Sequence, residues 1–278
     1  MTTKPVIICA ALTGAVPSKA DNPAVPVTVE EIIASAKEAF DAGATIAHVH
    51  ARGDDGKSSS DINLFRQIKE GIEAETDGMI VQISTGGRGR NQNSRMEPLA
   101  LNPEMGSIAT GTVNFATQIY ENHPELVTNM AKMMLDNNIK PEVEAFDMSM
   151  IYTTKALIDK GLMRDNPHIQ LVLGIPNAMP ALRKWVEFGV SQIEELVPNA
   201  TWCAAGIGRH QLEVARWMLE LGGHVRTGLE DNLKFDRTRL ANSNAELVQQ
   251  VVDICPEYNR HPASVAEARE ILNLPLKG

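Results

Sequence analysis

Cysteine is scarce in this 278-residue sequence, which contains three cysteines, Cys9, Cys203 and Cys255, spread along its length. Three scattered cysteines are too few for a disulfide framework or for a zinc site made of four sulfurs. They indicate reduced thiols, and we therefore expect a cytoplasmic protein.

Long apolar runs and long basic runs are also missing. The apolar run from Pro5 to Leu12 has about half of the ~18 residues that a membrane span needs, and no convincing signal-peptide cleavage site follows it. The formal net charge is -9 at pH 7, whereas nucleic-acid binding needs clustered lysine and arginine. We therefore expect neither a membrane nor a nucleic-acid partner, and we interpret the run as a buried strand.

What the sequence does contain is an alternation of short apolar, β-branched runs with amphipathic helical segments, and this unit occurs eight times. The first helical segment has a clear start, because Thr28 begins the capping-box spelling T-V-E-E, and its apolar spacing lasts until Gly43. The predicted strands cover residues 5–12, 45–52, 79–85, 106–113, 142–148, 169–174, 201–207 and 224–230.

This alternation predicts an α/β fold. Eight parallel strands joined by right-handed helical crossovers can close into a barrel of about 250 residues. We therefore predict that residues 1–278 form a single (β/α)8 TIM barrel, with helices near 243–255 and 263–272 that close the last unit and add a short C-terminal helical extension. A doubly wound open sheet is the alternative, but no G-x-G-x-x-G follows the first strand and no P-loop spelling occurs.

The second predicted strand contains an H-V-H pair, His48 and His50. Residues two apart in a strand point to the same face, and Arg52 continues that face. Both histidines lie toward the C-terminal end of the strand, where barrel enzymes carry their catalytic residues. Taken alone, the pair fits structural histidines bonded to their neighbours equally well.

The last predicted strand ends in two adjacent carboxylates, Glu230 and Asp231. Because strands eight and two flank strand one, we expect Glu230 to meet His48 and His50 across the barrel mouth. Two histidines and one carboxylate leave open positions, as in a catalytic site for zinc or another divalent metal. Asp231 is then expected to point away from the metal and to act as a base. The alternative is a solvated turn whose Asp or Asn caps the next helix.

Further polar groups follow other predicted strands. The S-T-G-G turn of Ser84 to Gly87 exposes backbone N–H groups that can bind a carboxylate or phosphate, although such turns are also common for steric reasons. The loop 206–210 follows strand seven, where barrels often bind phosphate.

Charged residues also occur inside two predicted strands. Glu142 and Glu144 share one face of strand five, so they need an arginine or a substrate group as partner, unless Glu142 lies outside the barrel. Arg226 faces the same side as Glu230 and implies a carboxylate partner or an anionic reacting group.

Six segments in order closely resemble the β-keto acid cleavage enzymes, and the resemblance runs through nearly the whole chain. The segments are N-P-A-V-P-V-T at 22–28, A-G-A-T-I-A-H-V-H-A-R at 42–52, S-T-G-G at 84–87, K-P-E-V-E-A-F-D at 140–147, G-I-G-R-H-Q at 206–211 and G-G-H-V-R-T-G-L-E-D-N at 222–232.

The resemblance implies a zinc-dependent barrel enzyme that condenses a β-keto acid with acetyl-CoA, giving acetoacetate and a new acyl-CoA. It also implies a homo-oligomer. By similarity, one Zn²⁺ per chain is bound by His48, His50 and Glu230, and Asp231, oriented by Arg226, removes the α-proton. The residues that resemble contacts to the substrate carboxylate or carbonyl are Ser84, Gly87 and Ser107, and Glu144 is a further candidate for substrate binding.

One departure from the family pattern concerns the substrate. In the enzyme that acts on the aminated keto acid, an acidic residue after the first-strand turn can pair with the substrate ammonium, but here Val16 occupies that position. We therefore predict a keto acid whose tail is uncharged or differently charged. Two alternatives stay open: another metal-dependent barrel enzyme, such as an aldolase or an amidohydrolase-type hydrolase, and a non-catalytic metal-binding protein.

Overall fold

The computed structural model describes residues 3–87 and 93–275, and its centre is a closed barrel of eight parallel strands. Each strand pairs with the next along the chain, and the last strand pairs with the first. The predicted barrel is therefore confirmed. The strands are β1 (Ile8–Ala11), β2 (Ile46–Val49), β3 (Ile80–Ile83), β4 (Met105–Ile108), β5 (Lys140–Ala145), β6 (His168–Leu173), β7 (Thr201–Gly206) and β8 (His224–Thr227).

Eight α-helices lie in the described part of the chain. Seven of them each come after one of the barrel strands other than β3, two of these after an intervening hairpin, and the eighth belongs to the C-terminal extension. In the connection from β3 to β4, the described residues form the short 3-10 helices Asn93–Arg95 and Glu97–Leu101. No helix of the described residues is both long and apolar enough to cross a membrane. The helices are α1 (Val29–Asp41), α2 (Ile62–Glu75), α3 (Pro124–Asp136), α4 (Ser149–Asp159), α5 (Arg183–Leu196), α6 (Gln211–Leu221), α7 (Asn244–Ile254) and α8 (Val265–Leu272).

Helix α1 begins where the sequence predicts. The Thr28 side chain accepts a hydrogen bond from the Glu31 backbone N–H, and the Glu31 carboxylate accepts one from the Thr28 N–H, which completes the capping box. Such a cap contributes roughly 1 kcal/mol to helix stability. The side chains that follow at helical spacing, Ile32, Ala36 and Ala39, are buried against the barrel.

Parts of three predicted strands pair outside the barrel. The beginning of segment 5–12 leaves the barrel, because Lys4–Val6 pairs in parallel with Arg260–Pro262. The end of segment 45–52 forms a hairpin with Ser58–Ser59, and Val113–Asn114 forms another with Ile119–Tyr120. A short apolar, β-branched run indicates extended backbone, but it carries no information about which strand will be the partner.

Side chains alternate between the two faces of the barrel wall. Outward-facing residues of β1 and β2, such as Ile8 and Val49, belong to the large core beneath the helices. Inward-facing residues near the strand starts, such as Ile46 and Ile80, form a second cluster with Ala268 and Leu272 of the α8 region. The C-terminal extension therefore packs beneath the barrel, and inward-facing polar residues such as Glu144 and Arg226 line the cavity toward the opposite end.

Candidate active site

A cavity of about 640 Å³ opens at the end of the barrel where the strands finish. Its volume is within the range that is typical of small-molecule sites. Its walls include the loops after β1, β3, β6, β7 and β8, at the rim where barrel enzymes carry their chemistry. Seven predicted site residues line it: His50, Ser84, Gly87, Glu144, Arg226, Glu230 and Asp231.

His48, His50 and Glu230 come together at the base of this cavity. His48 Nε2 lies 3.7 Å from Glu230 Oε2, and His50 Nε2 lies 3.4 Å from Glu230 Oε1. Three buried atoms of this group, His48 Nε2, His50 Nδ1 and Glu230 Oε2, have no hydrogen-bond partner among the described residues. One donor atom of each residue lies within 4.8 Å of the others, so the three side chains can share one cation.

Gln82 determines which nitrogen of His48 is available to a metal. Its Oε1 lies 2.5 Å from His48 Nδ1, so Nδ1 carries the proton and Nε2 keeps its lone pair. Burial, reinforced by the charge of Arg226, lowers the pKa of His48 to about 3, and the imidazole is therefore neutral, as a metal ligand must be. Sequence analysis missed Gln82, although its place in β3, two residues before Ser84, was an available signal.

Glu230 reaches the histidines through a turn and not through a strand. The barrel part of β8 ends three residues before Glu230, whose backbone N–H donates to Ala11 O at 3.1 Å. Gly228 makes this turn possible, since its φ is 139° and a Cβ there would lie 2.2 Å from Ala11 O. The predicted strand 224–230 was therefore too long. The argument that Glu230 and Asp231 must face opposite sides was wrong, because both carboxylates reach the same guanidinium.

That guanidinium belongs to Arg226, which lies between the carboxylates. Its Nε donates to Asp231 Oδ2 at 2.8 Å, and its Nη2 donates to Asp231 Oδ1 at 3.0 Å and to Glu230 Oε1 at 2.8 Å. Burial raises the pKa of Asp231 and Arg226 opposes this shift. Burial also acts to raise the pKa of Glu230, but His50 and Arg226 outweigh it and hold the pKa well below its usual value. The arrangement therefore contains one firmly ionised carboxylate beside one that is closer to accepting a proton.

The two glutamates of β5 both lie inside the barrel wall. Burial raises the pKa of Glu144 to about 8 and that of Glu142 to about 7, with Arg226 acting against each shift. Glu144 Oε1 lies 3.7 Å from Arg226 Nη1. Glu142 lies deeper, where Gln170 Nε2 donates to its Oε1 at 2.8 Å, so the alternative that placed it outside the barrel was wrong.

The S-T-G-G turn contributes polar groups to the cavity wall. Ser84 Oγ accepts a hydrogen bond from the Gly86 N–H at 3.1 Å, and both Ser84 and Gly87 line the cavity. Ser107 does not line it, because its fully buried side chain lies behind the turn and accepts a hydrogen bond from the Thr85 N–H at 3.3 Å. The structure therefore places Ser107 where it supports the turn.

Two cations at the cavity rim were not among the predicted site residues. Arg209, from the loop after β7, and Lys234, from the loop after β8, both line the cavity and are exposed. Within the described residues neither forms an ion pair with a carboxylate. Val16 lines the same cavity with 64% of its surface exposed. The outer part of the cavity therefore combines an apolar wall with unpaired positive charge.

Comparisons with known proteins indicate one enzyme family. The family model described as beta-keto acid cleavage enzyme matches residues 5–274. The chain is 51% identical over 273 residues to the 3-oxoadipate:acetyl-CoA acetyltransferase of Cupriavidus necator, covering 98% of this chain and 96% of that protein. It is 41% identical over 271 residues to the 3-keto-5-aminohexanoate cleavage enzyme of Fusobacterium nucleatum subsp. nucleatum, covering 97% of this chain and 98% of that one.

A solved structure supports the fold. A binary complex of ObcA with oxaloacetate superposes with a TM-score of 0.82 at 18% identity, over 91% of this chain and 68% of that chain. At this identity the likeness concerns the barrel alone, whereas the family match extends over nearly the whole sequence. The chain therefore belongs to the β-keto acid cleavage enzyme family.

Proposed function

We propose that this protein is a zinc-dependent acyltransferase that converts a β-keto acid and acetyl-CoA into acetoacetate and a new acyl-CoA. The observation that carries the proposal is the pairing of Asp231 with Arg226 directly beside the cluster of His48, His50 and Glu230, inside one cavity. Family membership supplies the reaction class. A homo-oligomer, a single catalytic domain over residues 1–278 and a cytoplasmic location remain part of the same proposal.

The donor set fits a divalent metal. Two imidazoles and one carboxylate are typical of catalytic zinc sites, and leaving buried donor atoms without a partner costs free energy unless a ligand such as a metal ion binds them. His48 Nε2 and Glu230 Oε2 are such atoms. When bound, zinc would supply Lewis acidity that polarises the substrate ketone and stabilises negative charge on its oxygen.

The chain's own residues account for the proton transfers. Asp231 is held by two donors of Arg226, so its carboxylate has a fixed orientation when it takes the proton from the carbon between ketone and carboxylate. Its raised pKa brings its basicity nearer to neutral pH. Ser84 and Gly87 line the cavity, and in this proposal the Ser84 hydroxyl and the backbone at Gly87 hold the substrate carboxylate against its wall.

The reaction balances with these groups. The carbanion carbon attacks the acetyl carbonyl of acetyl-CoA, a C–C bond forms, and the thiolate of coenzyme A leaves. The same thiolate then attacks the original ketone carbon, and the bond between that carbon and the former α-carbon breaks. Acetoacetate leaves after Asp231 returns the proton to its carbon, and the acyl group departs on coenzyme A. No oxidant or reductant is consumed.

The cavity also favours particular substrates. Val16 offers no charge to a substrate ammonium, whereas Arg209 and Lys234 offer positive charge at the rim. An anionic tail, as in 3-oxoadipate, which the name of the Cupriavidus necator relative contains, fits this balance better than an aminated tail. The phosphates of coenzyme A are the other anions that these cations can contact.

The proposal is tested with zinc-loaded and chelator-treated protein, each incubated with acetyl-CoA and one of three keto acids: 3-oxoadipate, 3-oxohexanoate and 5-amino-3-oxohexanoate. Mass spectrometry of the acyl-CoA products and assay of acetoacetate give the readout. We expect both products with zinc and 3-oxoadipate, loss of activity with chelator, and recovery when zinc is returned. Absence of acetoacetate from the zinc-loaded samples, or a preference for the aminated acid, would count against the proposal. Cleavage without acetyl-CoA would favour an aldolase.

A further inference from the structure

Arg52 is a buried cation that does not line the cavity. Its exposed fraction is 7%, and within the described residues no carboxylate forms an ion pair with it. Burial lowers its pKa, and the nearby Glu230 carboxylate acts in the opposite direction. Burying a guanidinium without a paired carboxylate is costly unless its N–H groups are satisfied in other ways.

Backbone carbonyl oxygens from two loops satisfy this guanidinium. In the loop after β1, Gly14 O accepts from Nε at 3.0 Å and Pro17 O accepts from Nη2 at 2.7 Å, with Thr13 O at 3.4 Å from Nη2. In the hairpin turn after β2, Gly56 O accepts from Nη1 at 2.9 Å. One rigid fork of donors therefore ties residues 13–17 to the segment that carries the H-V-H pair.

The loop that Arg52 holds touches the proposed metal site directly. Gly14 has a φ of 66°, and a Cβ at this position would lie 2.5 Å from Glu230 Cγ, so the loop backbone packs against the Glu230 side chain. The next residues, Ala15, Val16 and Pro17, line the cavity. A single loop thus contacts a proposed metal ligand on one side and forms the wall for the substrate on the other.

We infer that Arg52 is a positioning residue that fixes the loop of residues 13–17 and, through it, both the Glu230 carboxylate and the cavity wall at Val16. The inference deepens the proposed function and rests on it for the identity of the metal and the substrate. Arg52 acts through the loop backbone and touches neither of them. A lysine at this position keeps the charge but cannot donate to carbonyls in three directions with a fixed geometry.

Three measurements on the Arg52→Lys and Arg52→Met variants test this inference: the zinc dissociation constant by competition with a chromophoric chelator, the KM of each substrate, and hydrogen exchange of the backbone amides of residues 13–16, since Pro17 has no N–H. We expect zinc to bind about 10- to 100-fold more weakly, as when groups that orient metal ligands are removed. We also expect the KM of the keto acid to rise while that of acetyl-CoA changes less than about twofold, and loop amides to exchange faster.

Arg260→Met is the matched control. Arg260 is also buried, and it also donates to backbone carbonyls, among them Lys4 O, Pro5 O and Gly223 O, but these lie at the opposite end of the barrel. This variant should lose stability and yet keep the zinc affinity and both KM values. If both Arg52 variants match this control in zinc affinity, in keto-acid KM and in exchange of the loop amides, the inference is wrong.

The exchange measurement separates this inference from the proposed function. If the wild-type protein binds no zinc or makes no acetoacetate, the proposed function fails, while faster exchange of residues 13–16 in Arg52→Met still supports the loop-fixing role. If the wild type is active and loop exchange is unchanged in both variants, only the role of Arg52 fails.

Discussion

The side chains of the candidate site derive their properties from burial and from the charges beside them. Glu144, Glu230 and Asp231 all contact Arg226, yet burial raises the pKa of Glu144 and Asp231, whereas His50 and Arg226 hold the pKa of Glu230 well below its usual value. Similar carboxylates can therefore serve as a ligand and as a base because their surroundings differ. These pKa differences depend on distances between residues of different segments, which the sequence of one segment cannot predict.

Replacing Asp231 with asparagine tests its role as the base. Asn has nearly the same shape but cannot accept the proton, so we expect kcat to fall by about 10²- to 10⁴-fold. Zinc content should remain within about twofold, because Asp231 is not among the three residues of the proposed metal site. Steady-state kinetics with 3-oxoadipate and metal analysis of the same sample provide the check.

Asp236→Asn is the corresponding control. Asp236 is exposed and accepts hydrogen bonds within its own loop, from the N–H and hydroxyl of Thr238. Its replacement should leave kcat within about threefold of the wild type. A D231N enzyme that retains wild-type kcat would remove Asp231 from the mechanism.

At the scale of elements, the turns position the residues of the candidate site more than the strands do. All eight barrel strands lie within or overlap segments that the sequence predicts, because a short apolar, β-branched run reflects burial of a strand on both faces. The end of β8 was predicted incorrectly, since the turn at Gly228 depends on how close the Ala11 carbonyl lies. The sequence pattern also did not predict the 3-10 helices between β3 and β4, because such short helices have no long apolar period.

The Gly228→Ala substitution tests this turn. The φ of 139° and the 2.2 Å approach to Ala11 O leave no room for a methyl group, so the backbone must move and Glu230 must move with it. We expect a loss of roughly 3 kcal/mol in the free energy of unfolding, together with weaker zinc binding. Urea denaturation and chelator competition measure the two effects.

Gly161→Ala is a suitable comparison, because Gly161 also has a positive φ, 67°, but no atom lies within 4 Å of a Cβ placed there. Its substitution should cost only the backbone strain, about 1 kcal/mol, with zinc affinity unchanged. Equal losses of stability in the two variants would show that the approach to Ala11 is not what requires glycine at position 228.

At the scale of the whole molecule, barrel closure buries ionisable groups whose pKa shifts have opposite effects on stability. Burial, reinforced by Arg260, lowers the pKa of His224 to about 3 in the folded state. The free energy of unfolding therefore decreases as pH falls below about 6.5, the pKa of histidine in the unfolded chain. Glu142 and Glu144 have raised pKa values in the folded state, so acidification between about pH 8 and pH 4.5 favours the folded state through them. The net pH dependence of stability is therefore the sum of two opposing effects. The contribution of one group is measured by comparing the wild type with a variant that lacks it.

The His224→Gln variant tests how much His224 contributes to the pH dependence of the unfolding free energy. In the wild type the Ile7 N–H donates to His224 Nδ1 at 3.1 Å, and glutamine offers an oxygen acceptor that does not titrate. Between pH 7 and pH 5 the wild type should lose about 2 kcal/mol of unfolding free energy relative to the variant, since 1.4 kcal/mol corresponds to one pKa unit. Urea denaturation at both pH values measures this difference. Parallel pH profiles for the two proteins would mean that His224 does not remain neutral on folding.

The sequence by itself determined the number of strands, the face to which His48 and His50 point, and the family, because these follow from local periodicity and from ordered motifs. Only the tertiary structure decided that Glu230 and Asp231 share Arg226. It also decided that Ser107 lies behind the S-T-G-G turn and that Arg52 holds the loop beside Glu230. These contacts join residues that are far apart in the chain or separated by a tight turn. Their distances are fixed by closure of the barrel and by the φ values of a few glycines, neither of which an apolar pattern records.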